Sequence, residues 1–467
     1  MRRNMTSKNL SAGLLAAIFL CAFFSCVSAV PAAAQYTDSR AMADLGGPKE
    51  FERRRHALAQ EILAQEKNGG WVILFARQVE PEAEHYREDN DFYYLTGIAD
   101  PGAVLAINAK SGLTVLFEPA QAPRKAKVYG PNVLSLSPAE QAALGFSRVA
   151  PLTDLDALLS GVTSDGGPLW VRLGFPDKAD GARNEVGRDH ADEYAAPYHP
   201  GLPFDRNVVE QLRSRYPQAT LRDVTPLLDT MRNVKTPQEI EVLRRNGKLS
   251  AEALRDAIAH AHPGVYEYQI EARARFDFAN AGAQGVAYPA IVSSGNSLNT
   301  WHYFNNRKQI PAGGLVVFDY GADLDQMTMD ITRTFNISGK FPPEQAKWYT
   351  VDLKSQKAVI ELLRPGHTYE EASEAGLKIF KREGIEKQWL GFPGHFVGLA
   401  THDVLLPRGP IKAGQVVTVE PIIEFPDKQL HFRVEDTILI TDGAPEILSS
   451  AVPKEMKEVE ALVGSAK

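Results

Sequence analysis

The sequence predicts a two-domain protein of the α/β (α+β) class. Its 467 residues exceed the length of one ordinary domain and suit two. In the first half, segments with helical and strand patterns alternate, as they do in an α/β domain. In the second half, four helical segments accompany a few strongly apolar strands, and the change of character falls near residues 228–232. We therefore place the domains at residues 35–228 and 229–467.

Residues 1–34 have the three zones of a secretory signal peptide. Three basic residues precede an uncharged apolar run over 10–30, and a small-residue Ala-x-Ala end follows. We predict cleavage after Ala34 and export to the periplasm or the medium; an uncleaved membrane anchor and lipidation at Cys26 are the alternatives. Both cysteines lie in this segment, so the mature chain has no disulfide, thiolate metal ligand or cysteine nucleophile.

The composition is that of a soluble globular protein, with 44% hydrophobic and 23% charged residues. The formal net charge is −7 at pH 7, and no strong basic patch is present. Nucleic acid is therefore not an expected partner.

In the first half, a helical pattern over 51–65 precedes several strand patterns. The predicted strands cover residues 71–75, 103–107, 113–117 and 168–173. Residues 176–206 are rich in Pro, Gly, Asp and His, and we predict a long surface loop there.

The second half begins with the clearest helix signal. Thr236 suits an N-cap, Pro237 the first helical position and Glu239 the first turn. That helix should reach about residue 260. The other predicted helices and strands cover residues 268–281, 343–363 and 368–383, and then 416–420 and 432–440.

Two strand patterns near residues 314–335 predict a β-hairpin that carries two acids. With a turn centred on Leu324 and Asp325, Asp319 would face Asp330 directly. Like charges opposite one another destabilise a strand pair, and a cation between them would neutralise the repulsion. The alternative is a solvated hairpin end where two acids happen to fall.

Three later features add further polar groups. His395 lies in a Gly-rich segment, with His402 seven residues on, and Glu420 closes a strongly apolar strand. Arg433 and Glu435 share one face of a strand because side chains alternate. Each feature alone has an ordinary explanation: a turn histidine, a solvated acid or a surface ion pair.

Together these segments supply four carboxylates and one imidazole, which match two divalent cations. Oxygen-dominated ligation with one histidine and no cysteine suits Mn²⁺, and Co²⁺ or Zn²⁺ also fits. The imidazole disfavours Mg²⁺.

The ordered motifs resemble those of the aminopeptidase P and prolidase family, which are dinuclear metallopeptidases with the pita-bread fold. The matching motifs are Asp319-Tyr320-Gly321, Asp330-Ile331-Thr332-Arg333-Thr334, Gly394-His395 with His402-Asp403, Val419-Glu420-Pro421 and Arg433-Val434-Glu435-Asp436. Residues 87–97 and 231–240 also resemble family segments. The resemblance implies a creatinase/aminopeptidase P-like N-terminal domain and a pita-bread catalytic domain with a curved, mainly antiparallel sheet.

The resemblance also implies a ligand set. Asp319 would be a terminal ligand of one metal, Asp330 and Glu435 would bridge both metals, and His395 and Glu420 would complete the second.

Other residues take catalytic roles by the same resemblance. His302 matches a substrate-pocket histidine, and His402 one that contacts substrate and aids proton transfer. Glu420 would carry protons, and Arg433 would hold the carboxylates.

The activity that the resemblance implies is release of the N-terminal residue before a proline, through a metal-activated bridging hydroxide. The alternatives are a dipeptidase for Xaa-Pro (prolidase) and a non-catalytic pita-bread binding protein. Proline-containing peptides are the expected partners, and a homodimer or homotetramer is expected. The chain departs from the family at Gly391, Ile422 and Met327, where His, Gly and Tyr are usual, so the substrate pocket is expected to differ.

Overall fold

The computed structural model describes residues 38–78, 86–164, 167–198, 201, 203–404 and 409–466. The signal-peptide prediction for residues 1–34 lies outside this part of the chain. Within the described ranges, no helix is both long and apolar enough to cross a membrane.

A mixed six-stranded sheet organises the first part of the chain. Its strands are β1 (Trp71–Phe75), β2 (Val104–Asn108), β3 (Thr114–Glu118), β4 (Arg148–Pro151), β5 (Leu169–Val171) and β6 (Leu221–Asp223). They lie in the order β4-β3-β2-β1-β5-β6, with β1–β2 and β2–β3 antiparallel and the other three pairs parallel. The central strand β1 reads as an unbroken apolar run because both of its faces are covered. The four predicted strands in this region are confirmed.

Nine helices accompany this sheet in the described residues. They are α1 (Ser39–Asp44), α2 (Gly47–Gln65), α3 (Asn90–Thr96), α4 (Pro123–Tyr129), α5 (Pro138–Ala143), α6 (Leu155–Ser164), α7 (Arg183–Ala195), α8 (Phe204–Arg215) and α9 (Thr225–Asn233). The domain boundary that we place between residues 228 and 229 falls inside α9.

The predicted surface loop over residues 176–206 is wrong. This stretch contains all of α7 and the start of α8. Glu185 accepts a hydrogen bond from the backbone N–H of Ala182 at 2.8 Å and so satisfies a free donor at the start of α7. Arg183 is buried in ion pairs with Asp91 and Asp229. Tertiary contacts therefore stabilise a helix whose polar composition carries little local signal.

The second part of the chain builds four antiparallel sheets. Its helices are α10 (Pro237–His260), α11 (Glu267–Asn280), α12 (Pro343–Glu361), α13 (Tyr369–Glu383) and α14 (Met456–Leu462). Its strands are β7 (Gly285–Val286), β8 (Ile291–Ser294), β9 (Leu315–Asp319), β10 (Ala322–Leu324), β11 (Met327–Thr328), β12 (Thr332–Asn336), β13 (Val416–Val419), β14 (Ile422–Phe425), β15 (Leu430–Arg433), β16 (Asp436–Leu439) and β17 (Glu446–Ile447). The sheets are β11-β10-β7, β12-β9-β8, β13-β16-β17 and β14-β15.

The four predicted helices of this part are confirmed. At the start of α10, the Thr236 hydroxyl accepts from the Glu239 N–H at 3.2 Å, and Glu239 accepts from the Thr236 N–H at 2.8 Å. This reciprocal capping box satisfies two backbone donors. Thr368 and Glu371 repeat it at α13.

The predicted register of the hairpin is wrong, and the strand partner of Asp319 is shifted by two residues. Asp319 pairs with Thr332, because the turn is centred on Asp325 and Gln326 and not on Leu324 and Asp325. Both turn residues have positive φ, 54° and 63°, which is the geometry that fits a two-residue hairpin loop. Gln284 holds Asp325 there with two hydrogen bonds, at 2.7 and 2.9 Å.

The corrected register still keeps the two acids close. Asp330 lies two residues before Thr332, the partner of Asp319, so it is a diagonal neighbour of Asp319 on the same face. The backbone of the hairpin approaches itself closely nearby. A Cβ on Gly321 would lie 1.7 Å from the Met329 carbonyl oxygen, so only glycine fits there.

The predicted strand over residues 432–440 is divided in two. β15 ends at Arg433 and β16 begins at Asp436. Glu435 lies in the gap, and its N–H donates to the Thr332 carbonyl at 3.0 Å. This hydrogen bond joins the segment between β15 and β16 to the start of β12, and so places Glu435 beside the hairpin.

The two parts of the chain share a buried ionic junction. The carboxylate of Asp91, in α3, accepts hydrogen bonds from Arg172, Arg183 and Arg232 at 2.9, 2.8 and 2.7 Å. All four side chains are buried, and buried charges of this kind require partners. Arg232 also reaches Asp403 Oδ1 at 2.6 Å, so the junction joins the first part of the chain to the second.

Candidate metal centre

Three acids converge where strands of different sheets end. Asp319 closes β9, Asp330 precedes β12 and Glu435 lies between β15 and β16. One oxygen from each lies within 4.8 Å of the others, and all three residues are buried. Such a cluster of buried carboxylates is costly unless protons or cations compensate it.

His395 and Glu420 join the acids on one side. His395 Nε2 is 3.2 Å from Glu420 Oε1 and 3.4 Å from Asp330 Oδ2, and both side chains lie within 4.8 Å of Glu435. His395 Nδ1 is 3.2 Å from the carbonyl oxygen of Phe396, to which it donates. This second bond orients the ring and leaves Nε2 for a cation. The structure thus brings together all five ligands that the sequence predicts.

Tyr288 lies between two of the acids. Its hydroxyl oxygen is 2.5 Å from Asp319 Oδ1 and 2.6 Å from Asp330 Oδ1. The hydroxyl has a single proton, so it can donate to only one of the two carboxylates at a time. The Tyr288 hydroxyl therefore links the two acids on one side of the cluster.

Burial changes the pKa values of these residues. It raises the pKa of Asp319 to about 8, with repulsion from Asp330 adding to the effect and Arg433 opposing it. Burial also raises the pKa of Glu435 well above its usual range, and the neighbouring acids raise it further. Burial would lower the pKa of His395, but hydrogen bonds to Asp330 and Glu420 outweigh it and raise the pKa to about 10.

The donor set fits divalent cations. Glu435 Oε2 accepts from the Thr332 hydroxyl at 2.7 Å, whereas its buried Oε1 has no hydrogen-bond partner in the described part of the chain. An unpartnered buried carboxylate oxygen costs free energy that a bound cation would recover. Four carboxylates with one imidazole are also ligands that Mn²⁺, Co²⁺ and Zn²⁺ accept.

The other predicted site residues surround this centre at different distances. Arg433 Nη2 donates to Asp319 Oδ2 at 2.7 Å. The His402 ring lies 4.1 Å from the His395 ring, and the exposed His302 ring lies 6.5 Å from His402. Burial, followed by the charge of Arg433, lowers the pKa of His302, which favours the neutral ring. His402 thus lies beside the cluster, and His302 lies next to His402.

A cavity of ≈ 840 Å³ adjoins the two inner histidines. His395 and His402 line it on one side, and α7, α13 and the segment 389–392 line it elsewhere. A space of this size next to a polar cluster is typical of a small-ligand site. It can therefore receive part of a peptide.

The three family departures occupy different surroundings. Gly391 has φ +106° and lines the cavity, and a Cβ there would meet no atom within 4 Å. Ile422 pairs with Arg433 across β14 and β15, and Met327 is buried beside the hairpin turn. The open space at Gly391 therefore belongs to the cavity next to the candidate ligands.

Two polar residues of this site carry no sequence signal. Tyr288 precedes β8 in an Ala-Tyr-Pro stretch without a motif, and Glu185 lies in the segment predicted as a loop. Glu185 contacts His402 Nδ1 with both carboxylate oxygens at 2.8 Å. Only the folded chain brings these residues to the cluster.

The fold and site define a metallopeptidase. Residues 241–442 match the model of metallopeptidase family M24, and residues 51–170 match that of the aminopeptidase P N-terminal domain. The first match contains all five candidate ligands.

Comparison with individual relatives identifies the family to which the chain belongs. The chain is 30% identical over 466 residues to the Xaa-Pro aminopeptidase of Escherichia coli K12, covering 90% of this chain and 98% of that one. It is 29% identical to mouse Xaa-Pro aminopeptidase 3, over 80% and 76% of the two chains. The structure of E. coli aminopeptidase P with the inhibitor Pro-Leu superimposes with a TM-score of 0.74 at 28% identity, over 89% of this chain and 98% of that one. The chain belongs to the aminopeptidase P family, and the expected fold is confirmed.

Proposed function

We propose that this protein is a metal-dependent exopeptidase that releases the N-terminal residue from peptides with proline in second position. The observation that carries the proposal is the buried cluster of four carboxylates and one imidazole, with an unpartnered Glu435 oxygen, on a chain that matches Xaa-Pro aminopeptidases along most of its length. Metal ions bound at a site of this kind can activate water and polarise the carbonyl group of a peptide.

Five residues would hold two divalent cations, and Mn²⁺ is the metal that we propose. They are Asp319, Asp330, His395, Glu420 and Glu435. When bound, the cations supply Lewis acidity toward the scissile carbonyl and toward water. Arg433 orients Asp319 through its 2.7 Å hydrogen bond and favours the ionised form of that carboxylate.

The remaining groups handle protons and orientation. Glu420 lies beside His395 at the edge of the cluster and is only partly shielded from solvent, so it can take a proton from water and return it to the leaving nitrogen. His402 and His302 lie next to the cluster, where a donor to the substrate carbonyl oxygen would stabilise its developing negative charge.

The experiment compares three substrates of the manganese-loaded enzyme: Xaa-Pro-Yaa, Xaa-Ala-Yaa and the dipeptide Xaa-Pro. The proposal predicts cleavage of Xaa-Pro-Yaa well above Xaa-Ala-Yaa. Cleavage of Xaa-Pro with no cleavage of Xaa-Pro-Yaa would instead indicate a dipeptidase. No hydrolysis, in a protein that retains no divalent metal after loading, would indicate a binding protein.

We also propose that the enzyme is exported and forms a homodimer or homotetramer. Export rests on the signal-like residues 1–34, and the assembly rests on the family resemblance. N-terminal sequencing of the mature protein should begin at Gln35, and light scattering should give a multiple of the chain mass. An N-terminus at Met1 would contradict cleavage after Ala34 and favour the uncleaved anchor, and the mass of a single chain would contradict the assembly.

A further inference from the structure

Helix α7 contributes to the site and lies outside both family models. It spans Arg183–Ala195, between the matches at residues 51–170 and 241–442. Its first turn nevertheless lines the ≈ 840 Å³ cavity together with His395 and His402. The first part of the chain thus contributes directly to the surroundings of the candidate metal centre.

Buried ion pairs hold the start of α7 in place. Arg183 Nη2 is 2.8 Å from Asp91 Oδ1, and Arg232 Nη1 is 2.7 Å from the same oxygen. Arg232 Nη2 then reaches Asp403 Oδ1 at 2.6 Å, and Asp403 follows His402 in the chain. One connected network therefore fixes both the helix and the backbone beside His402.

With the start of α7 fixed by these ion pairs, Glu185 contacts His402. Its Oε2 accepts from the Ala182 N–H at 2.8 Å, which places the carboxylate over the N-terminus of its own helix. Both carboxylate oxygens lie 2.8 Å from His402 Nδ1. A carboxylate only accepts at this distance, so Nδ1 carries the proton and donates it.

We propose that Glu185 is a positioning residue for the reaction, because its bond to Nδ1 fixes the tautomer and ring orientation of His402 and directs Nε2 toward the substrate carbonyl. This inference rests on the proposed function. The same arrangement operates wherever a carboxylate orients a functional imidazole from its second nitrogen. Burial would raise the pKa of Glu185, but the hydrogen bond and charge of His402 lower it to about 2, so Glu185 stays ionised.

The rival explanation is that Glu185 only caps α7. A capping carboxylate would affect the stability of the helix and the shape of the cavity, without acting through His402. The helix offers a matched control for this distinction. Glu193, near the other end of α7, lies 2.8 Å from His190 Nδ1 and does not line the cavity.

The experiment measures kcat and KM on Xaa-Pro-Yaa for the manganese-loaded Glu185→Ala, Glu185→Gln and Glu193→Ala variants. Loss of an orienting partner should lower kcat by about 10- to 100-fold, with a much smaller change in KM. Glu185→Gln keeps an acceptor oxygen and should recover part of the loss. Glu193→Ala should match the wild type.

A double-mutant cycle with His402→Ala separates positioning from capping. If Glu185 acts through His402, Glu185→Ala should add less than about 2-fold to the loss already caused by His402→Ala. Equal losses in both backgrounds would show a structural role and overturn the inference.

A spectroscopic measurement covers the case in which His402→Ala is too slow to assay. In ¹⁵N spectra of the Zn²⁺-loaded enzyme, the His402 ring should show the Nδ1–H form in the wild type and a mixture of forms in Glu185→Ala. An unchanged ring signal, or wild-type kcat in Glu185→Ala, would refute the inference. An inactive wild type would refute the proposed function instead.

Discussion

Replacing Glu435 by Gln tests whether the carboxylates of the cluster destabilise the metal-free protein. Two unit charges 4.8 Å apart repel by about 3.5 kcal/mol at an effective dielectric constant of about 20. An ionised Glu435 would therefore meet about 7 kcal/mol of repulsion from Asp319 and Asp330 together. Protonation avoids most of this cost in the metal-free protein, as the raised pKa of Glu435 indicates.

The remaining cost that the substitution can remove is that of the unpartnered Glu435 Oε1 atom. An amide at this position can donate to a neighbouring carboxylate, which removes a penalty of about 1–3 kcal/mol. We therefore expect Glu435→Gln to stabilise the metal-free protein by about that amount. The same change should remove activity, because it removes one of the five candidate ligands.

The assay is urea unfolding of wild type and Glu435→Gln, each after chelation and again with Mn²⁺. Metal at a thousandfold excess over its Kd should stabilise the wild type by about 4 kcal/mol and the variant far less. Glu446→Gln, at a surface ion pair with Arg244, is the control and should change stability by less than about 0.5 kcal/mol. A metal-free Glu435→Gln that unfolds at lower urea than the wild type would refute the reasoning.

Three further predictions concern the cluster and the ionic junction. Asp330→Ala should abolish peptidase activity with the fold retained, measured by turnover and circular dichroism; near wild-type turnover would contradict a dinuclear centre. Asp91→Asn should lower the free energy of unfolding by about 3–5 kcal/mol in urea at pH 7, because three buried arginines lose a shared carboxylate. This loss of stability in Asp91→Asn should become smaller at acidic pH. The pKa of Asp91 is held well below its usual range in the folded protein, so the stability that the ionised carboxylate contributes is lost as the pH falls toward that pKa. A loss that does not depend on pH would contradict this prediction. Mn²⁺ affinity should rise from pH 6 to pH 8 with proton release, because the pKa values of Asp319 and His395 are raised to about 8 and about 10 in the metal-free protein; calorimetry in buffers of different ionisation enthalpy measures it, and no proton release would contradict it.

The helices and strands that local patterns predicted are present in the structure, although the strand over residues 432–440 is divided in two. Thr236 and Glu239 mark the start of α10 by chemistry that acts within one turn, so the sequence alone reveals it. Strand β1 is similarly visible as a short apolar run.

Long-range contacts decided what the patterns missed. The hairpin turn lies at Asp325 and Gln326, two residues that rarely take positive φ, and contacts with Gln284 stabilise it from 41 positions away. No turn dipeptide in the sequence marks that position. The predicted turn was therefore wrong by one position and the strand register by two residues, although Asp319 and Asp330 remain neighbours.

Helix α7 illustrates the same limit at the site. Its apolar content is low, and the contacts that hold it are ion pairs between residues far apart in sequence, such as Arg183 with Asp91. The motif residues were found because their types and order are distinctive. Tyr288 and Glu185 have no comparable pattern, and only tertiary structure brings them to the cluster.

The most direct measurement is a titration of the chelated enzyme with Mn²⁺ while release of the first residue from Xaa-Pro-Yaa is followed. The proposed function predicts no turnover without metal and full turnover at two equivalents per chain. Full turnover after complete chelation, or none at any Mn²⁺ concentration, would contradict a dinuclear Xaa-Pro exopeptidase.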